Sequence, residues 1–286
     1  MNKGIRDFIH NIFRIFFIYL LFTICAYSSN ISTLNLTNEE QIWLKKHRII
    51  SVQNDPDWPP FNFNENDTPQ GFSIDYMNLL AEKIGFQVKY ITDKAWSDYL
   101  DMIRNTNLDV IVNIVKTEER QSYILFTKPF IKNPNVIVSI KERPYQSIKQ
   151  LSGKTVAIPK SYFYQKVLSK LFPNIKQLLL KSTLECLKAV TFGKADATVG
   201  ELAVVQYLVD KNLLTNLRVS GEVQMGNSDL ANLRIGIRKD WPILQSILSK
   251  AMDNVSPEEM GKISKKWLTA TDQNKAVQLT PEEKSG

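Results

Sequence analysis

"RIISVQNDPDWPPFNFNENDTPQGFSIDYMNLLAEKIGFQVKYIT", residues 48–92, holds the alternation that decides the fold. "RIISVQN" is a short apolar run of strand length, rich in β-branched residues. In "GFSIDYMNLLAEKIG", residues Ile74, Met77, Leu80, Ala81 and Ile84 recur at helical spacing, and Gly85 is placed to end the helix in a left-handed turn. "FQVKYIT" returns to strand. Strand, helix and strand in succession describe two parallel strands joined by a crossover helix. Between the first strand and the helix lies "DPDWPPFNF" (55–63). Pro56, Pro59 and Pro60 exclude a regular helix there and deny ladder hydrogen bonds to a sheet interior. The stretch therefore reads as a stiff extended loop carrying Trp58, Phe61 and Phe63.

Working outward, "TNEEQIWLKKH" (37–47) is a capped helix, with Thr37 as N-cap and Glu40 three residues on. Downstream, "WSDYLDMIRNT" is a helix. "LDVIVNIV" is a nearly continuous apolar strand of the kind buried on both faces. After the strand-like "NPNVIVSIKE" a second series begins: "KTVAIPK" (strand), "SYFYQKVLSKLF" (helix), "IKQLLLK" (strand), "STLECLKAVTFG" (helix), "ADATVG" (strand) and "LAVVQYLVDKN" (helix). "NLRIGIRKD" adds a strand, and two helices close the pattern. The fold class is α/β: two lobes with a hinge and an interlobe cleft. Lobe 1 is expected at 37–140 and 229–269, lobe 2 at 141–228, and a disordered tail at 270–286. Ligands of open parallel sheets bind beyond the carboxyl ends of strands, which places "DPDWPPFNF" at the mouth of the cleft.

The first residues have another character. "MNKGIRDFIHNIFR" is basic, "IFFIYLLFTICAYSS" is apolar but short for a membrane span, and Ala26 and Ser28 are small, so residues 1–28 read as a secretory signal. An uncleaved anchor and a lipoprotein at Cys25 are the competing readings. The whole chain carries 36 Lys and Arg against 29 Asp and Glu, a net charge of +7. The basic residues are scattered among acids without a basic block, which argues against nucleic-acid binding. Removal of the signal leaves one cysteine, Cys186, and one histidine, His47. That excludes an intrachain disulfide and cysteine- or histidine-rich metal sites, and it argues against a Ser-His-Asp triad. No metal and no cofactor is expected, and His47 reads as structural.

The sequence resembles the bacterial periplasmic solute-binding proteins of the polar amino-acid type, family 3, from about residue 37 to 269. Four features carry the resemblance: "DPDWPPFNF…GFSIDYMNLLAEKIG", "KTEERQSYILFTKPF", "IKQLSGKTVAIPKSYFYQ" and "GKADATVGELAVVQYLV". "LTNEEQIWLKKH" and "PKSYFYQKVL" look most like the branch of Venus-flytrap sensor domains fused to histidine kinases and cyclases. With no kinase or cyclase following, the chain reads as a stand-alone version.

The resemblance implies a role for particular residues. Arg120 in "KTEER" would clamp a ligand carboxylate, since a guanidinium fork matches it with two charge-assisted hydrogen bonds. Glu201 in "ADATVGE" would hold the ligand ammonium. Trp58 and Trp96 would pack on the ligand, with Asp55 beside them. The chain departs from the pattern where amino-acid binders show Gly and Thr, having Asn113 and Val115. It departs again where they show a Gly-rich turn, having Lys160, Ser161 and Tyr162. The expected ligand is an amino acid or a small carboxylate.

The leading expectation is a non-catalytic, monomeric periplasmic binding protein that closes on this small molecule and is read by an ABC permease or a membrane sensor. The alternative is an enzyme on the same scaffold, a cyclohexadienyl or arogenate dehydratase, with Glu201 or Lys160 as the acid. A tethered sensory module is the third reading.

Overall fold

The computed structural model describes residues 34–223 and 228–268; the expected signal at 1–28 and tail at 270–286 lie outside the described residues. The chain order is α1 (Asn38–Lys46), β1 (Ile49–Gln53), β2 (Asp57–Trp58), β3 (Asn62–Glu65), β4 (Thr68–Gln70), α2 (Phe72–Ile84), β5 (Gln87–Ile91), α3 (Trp96–Arg104) and β6 (Val110–Ile114). Next come α4 (Glu118–Gln121), β7 (Ile124–Phe126), β8 (Ile131–Lys132), β9 (Asn135–Ile140), β10 (Thr155–Pro159), α5 (Phe163–Leu171), β11 (Lys176–Leu180), α6 (Thr183–Thr191) and β12 (Ala197–Glu201). The described chain ends with α7 (Leu202–Lys211), β13 (Leu217–Glu222), β14 (Asn232–Arg238), α8 (Pro242–Asp253) and α9 (Pro257–Trp267).

Two sheets form two lobes. The first has the order β5-β1-β6-β14-β7, with β8 paired to β14; the second has the order β11-β10-β12-β9-β13. Within each lobe the βαβ units are parallel, Ile49–Gln53 running beside Gln87–Ile91 and Thr155–Pro159 beside Lys176–Leu180. The expectation of a parallel sheet needs correction at the joins. β14 runs antiparallel to β6, and β9 antiparallel to β12 and β13, because these strands enter each lobe from the other one. β9 also belongs to the second sheet, although the sequence reading put residues up to 140 in lobe 1. The chain crosses earlier, where Asn133 N–H donates to Ala231 C=O (2.8 Å) and Val223 N–H to Asn135 C=O (2.8 Å). These two paired segments are the hinge.

Local signals explain the elements. Thr37 and Glu40 form a reciprocal capping box on α1, and Gly85 ends α2 in the left-handed region at φ 89°. β6 is buried along its whole length, as its continuous apolar run requires of a strand covered on both faces. His47 stacks on Trp43 at 3.9 Å and its Nδ1 lies 2.8 Å from Trp43 C=O, a structural role. Cys186 is fully buried, and burial pushes its thiol up to about 12.

The proline-rich stretch is more than a loop. It folds into a small antiparallel sheet, β2-β3-β4, with Trp58 opposite Asn62. This hairpin caps α2: Phe72 N–H donates to Pro60 C=O (2.9 Å) and Ser73 N–H to Phe61 C=O (2.8 Å), satisfying amides that a helix start leaves without partners. The approach needs Gly71 at φ 124°, since a Cβ there would meet Phe61 C=O at 2.2 Å. Phe61 packs edge-on against Phe72 inside lobe 1. Phe63 does more than anchor the first lobe: it packs on Trp267 and also reaches Tyr207 of the second lobe.

Candidate functional site

The carboxyl ends of β1 and β6 face those of β10 and β12 across the cleft, and a small cavity lies between them. Lobe 1 contributes Asp55 just after β1, Trp58 from the hairpin, Trp96 at the start of α3, Asn113 and Val115 at the end of β6, and Arg120 from α4. Lobe 2 contributes Tyr162, the residue capping α5, and Glu201, the last residue of β12. Eight of the ten expected residues therefore line one cavity.

Lys160 and Ser161 do not. They line an outer groove together with Asp55, Trp96 and Tyr162. Lys160 N–H continues the β10–β11 ladder by donating to Leu180 C=O (2.8 Å), and its side chain is exposed. Ser161 sits at φ 67°, the left-handed region where glycine is at no disadvantage, and Gln165 accepts from its N–H (3.1 Å). That turn directs Tyr162 inward. Tyr162 is common to the central cavity, the outer groove and the large groove on the α4 side. Its ring lies 6.1 Å from that of Trp96 across the lobes, so the two aromatics separate the cavity from its approaches.

Gln53, Asn62, Val112, Phe163 and Leu233 also line the cavity and were not expected. Two of them had a local signal. Gln53 is the polar residue ending an apolar strand, and Asn62 is the polar residue inside the aromatic hairpin. Phe163 and Leu233 had none, for nothing in a single strand or helix says which buried side chain borders an empty space.

The lining holds charge and polar atoms that the protein leaves unpartnered. Arg120 is only 6% exposed; its Nη1 donates to Val115 C=O at 2.9 Å, and no carboxylate pairs with it among the described residues. Burial lowers its affinity for a proton, with Tyr123 and Glu119 offsetting part of the effect. The guanidinium lies 5.6 Å from the Trp96 ring centroid. Glu201, buried in the opposite wall, keeps Oε2 without a hydrogen-bond partner. Burial raises its pKa above the ordinary range, against the pull of the Tyr164 hydroxyl and its own backbone N–H. Burial likewise raises Asp55 from 3.8 to about 7, although Asp57 N–H donates to its Oδ1 (3.1 Å). Trp58 Nε1, Trp96 Nε1, Asn113 Nδ2 and Asn62 Oδ1 are also buried without partners. Asn113, at φ 60°, uses its Oδ1 to accept from Ser73 Oγ, which leaves the amide nitrogen for the cavity. Buried polar groups are normally satisfied, so this concentration marks a place prepared for a polar molecule.

Residues 50–270 match the model of the bacterial extracellular solute-binding proteins, family 3. The chain belongs to that family. By that description its members are extracellular solute-binding proteins. The virulence sensor protein BvgS of Bordetella pertussis is 22% identical over 233 residues, covering 81% of this chain and 19% of that protein. The chain thus spans about a fifth of the length of that sensor protein. The arginine-binding extracellular protein ArtP of Bacillus subtilis is 23% identical over 229 residues, covering 79% of this chain and 87% of ArtP. The crystal structure of the BvgS periplasmic VFT2 domain superposes with a TM-score of 0.70 at 24% identity, covering 81% of this chain and 98% of that one. These relatives are binding and sensor proteins; both kinds of likeness were read from the sequence motifs.

Proposed function

We propose that this family 3 protein closes its two lobes on a small zwitterion of amino-acid type, without chemical turnover, and that the closed form is read by an ABC importer or a membrane sensor. The observation that carries the reading is one pair of side chains. Arg120 and Glu201 are buried in opposite walls of one cavity, and neither makes an ion pair among the described residues. A carboxylate on Arg120 and an ammonium at Glu201 would satisfy both, and only the closed state offers both at once. Trp58 and Trp96 Nε1 and Asn113 Nδ2 then supply further donors to the carboxylate end. Asn62 Oδ1 and Asp55 supply acceptors for the amine or the ligand side chain. ArtP, an arginine binder by name, supports an amino-acid ligand. The basic-apolar leader read at 1–28 fits export to the periplasm, where such a protein works as a monomer.

A thermal-shift screen of amino acids and small carboxylates tests the reading. A true ligand at a hundred times its dissociation constant stabilises by about 2.7 kcal/mol. The expected hit is a zwitterion whose effect vanishes in Arg120→Ala. A hit that binds Arg120→Ala as tightly as wild type defeats the proposal, and turnover of prephenate or arogenate defeats the claim that the protein only binds.

A further inference from the structure

We propose that the end of lobe 2 opposite the cleft is a docking surface for an anionic lipid bilayer. The parallel strands β10, β11 and β12 have their carboxyl ends at the cavity, so the loops that precede them gather at the far end. Backbone hydrogen bonds tie these loops into one surface. Gly153 N–H donates to Asn174 C=O, Asp196 N–H to Thr155 C=O and Lys141 N–H to Asn216 C=O, while Asn216 Nδ2 reaches Thr191 C=O.

Charge collects here. Residues 141–154, 172–176, 192–197 and 213–218 hold seven Lys and Arg against two Asp and Glu, a net +5 in a chain whose total is +7. One of the two acids, Asp196, is already engaged: its Oδ2 accepts from Thr155 N–H at 2.9 Å, and Arg143 lies 3.9 Å from its Oδ1. Lys141, Lys149, Lys154, Lys176 and Lys194 are exposed and make no salt bridge among the described residues. What scatters along the sequence is therefore concentrated in space.

Two large apolar side chains stand out of the same surface, Phe192 at 72% exposure and Leu213 at 79%. They close α6 and α7, whose ends meet at the Asn216–Thr191 contact. Basic side chains around protruding apolar ones suit a bilayer with anionic headgroups, which takes the lysines at its surface and the Phe and Leu at the headgroup–acyl boundary. A nucleic acid would use the charge but leave Leu213 without a role. Docked this way, the protein keeps its cleft turned away from the lipid and free to open.

Flotation of the mature chain, residues 29–286, with vesicles tests this, comparing phosphatidylcholine alone with phosphatidylcholine containing phosphatidylglycerol. Each basic group near an anionic surface strengthens binding roughly fivefold, so Lys154→Glu/Lys176→Glu/Lys194→Glu is expected to weaken binding to the anionic vesicles by roughly a hundredfold. The control Lys45→Glu/Lys46→Glu/Lys89→Glu, on exposed lobe 1 positions, changes total charge equally and is expected to bind like wild type or lose only a small part. Phe192→Ser/Leu213→Ser is expected to lower vesicle binding at physiological salt, with the melting temperature unchanged. The proposal is overturned if the two triple variants lose binding equally, or if wild type shows no preference for anionic vesicles. It is also overturned if Phe192→Ser/Leu213→Ser binds vesicles undiminished, or if wild type prefers single-stranded DNA to the anionic vesicles.

Discussion

Two buried arginines and two buried glutamates separate the scaffold of this protein from its cleft. Arg234, in β14, is 6% exposed, the same as Arg120. Its Nη2 pairs with Asp229 at 2.7 Å and its Nη1 donates to Thr127 C=O at 3.0 Å. Glu40, in α1, accepts from Lys250 Nζ and Ser246 Oγ at 2.7 Å each and from Thr37 N–H at 2.7 Å. Burial works against its ionised form, but these hydrogen bonds outweigh it and hold the carboxyl below its ordinary range. Arg120 and Glu201 are buried to the same degree but make no ion pair among the described residues, and burial moves both toward their neutral forms. Burial alone thus does not distinguish a structural ion from a ligand-binding one. The distinction lies in whether the fold has supplied the counter-charge.

The largest effect expected from this contrast is on binding. Arg120→Ala should weaken the ligand found in the screen by a hundredfold or more, about 3 kcal/mol, in titration calorimetry. Arg234→Ala should leave the affinity near wild type and lower the unfolding free energy by about 3 kcal/mol, because the buried bonds of the guanidinium to Asp229 and Thr127 C=O are lost. Exchange of these two phenotypes would break the comparison.

The pH dependence of the ligand-free protein comes next. The folded-state pKa of Asp55, about 7, lies above its ordinary 3.8, so the folded state prefers the protonated form. Wild type should therefore lose stability relative to Asp55→Asn as the pH rises from about 4 to about 7. We expect on the order of 2 kcal/mol, since the residue is only half-buried and water screens part of the shift. Parallel melting curves for the two proteins across that range would contradict the assignment.

The glutamates give a smaller, opposed pair. Glu40→Gln should cost about 1 kcal/mol at neutral pH, and wild type should lose this advantage as the pH falls below the ordinary value of 4.5. Glu201→Gln should gain about 1 kcal/mol at neutral pH, a difference that closes as the pH falls toward 4.5. Denaturant titrations at two pH values check both signs. Smallest in stability, Tyr162→Ala should change the melting temperature little yet join the cavity to both grooves. A panel of longer zwitterions in calorimetry should then show gains specific to the variant. An unchanged panel would remove Tyr162 as the partition.

The alternation of strand and helix, the capping box of α1, the Gly85 stop and the buried β6 were legible in the sequence, because each depends on neighbours a few residues away. The motif resemblance also pointed to Arg120, Trp58 and Glu201. Other features depend on distant segments meeting. The prolines of "DPDWPPFNF" excluded a helix, but the small sheet they form exists because the hairpin carbonyls cap α2. The antiparallel β9 and β14 follow from a chain that changes lobes. Lys160 and Ser161 belong by position to the expected turn, yet one left-handed residue puts them outside and Tyr162 within. Basic residues are scattered along the sequence, for a net charge of +7; packing four segments at one end of lobe 2 gathers a net +5 there. Local rules act through a few bonds and can be read along the chain. Unpaired charges, shared cavities and charged faces are properties of distances between residues far apart in sequence, so they exist only once the chain has folded.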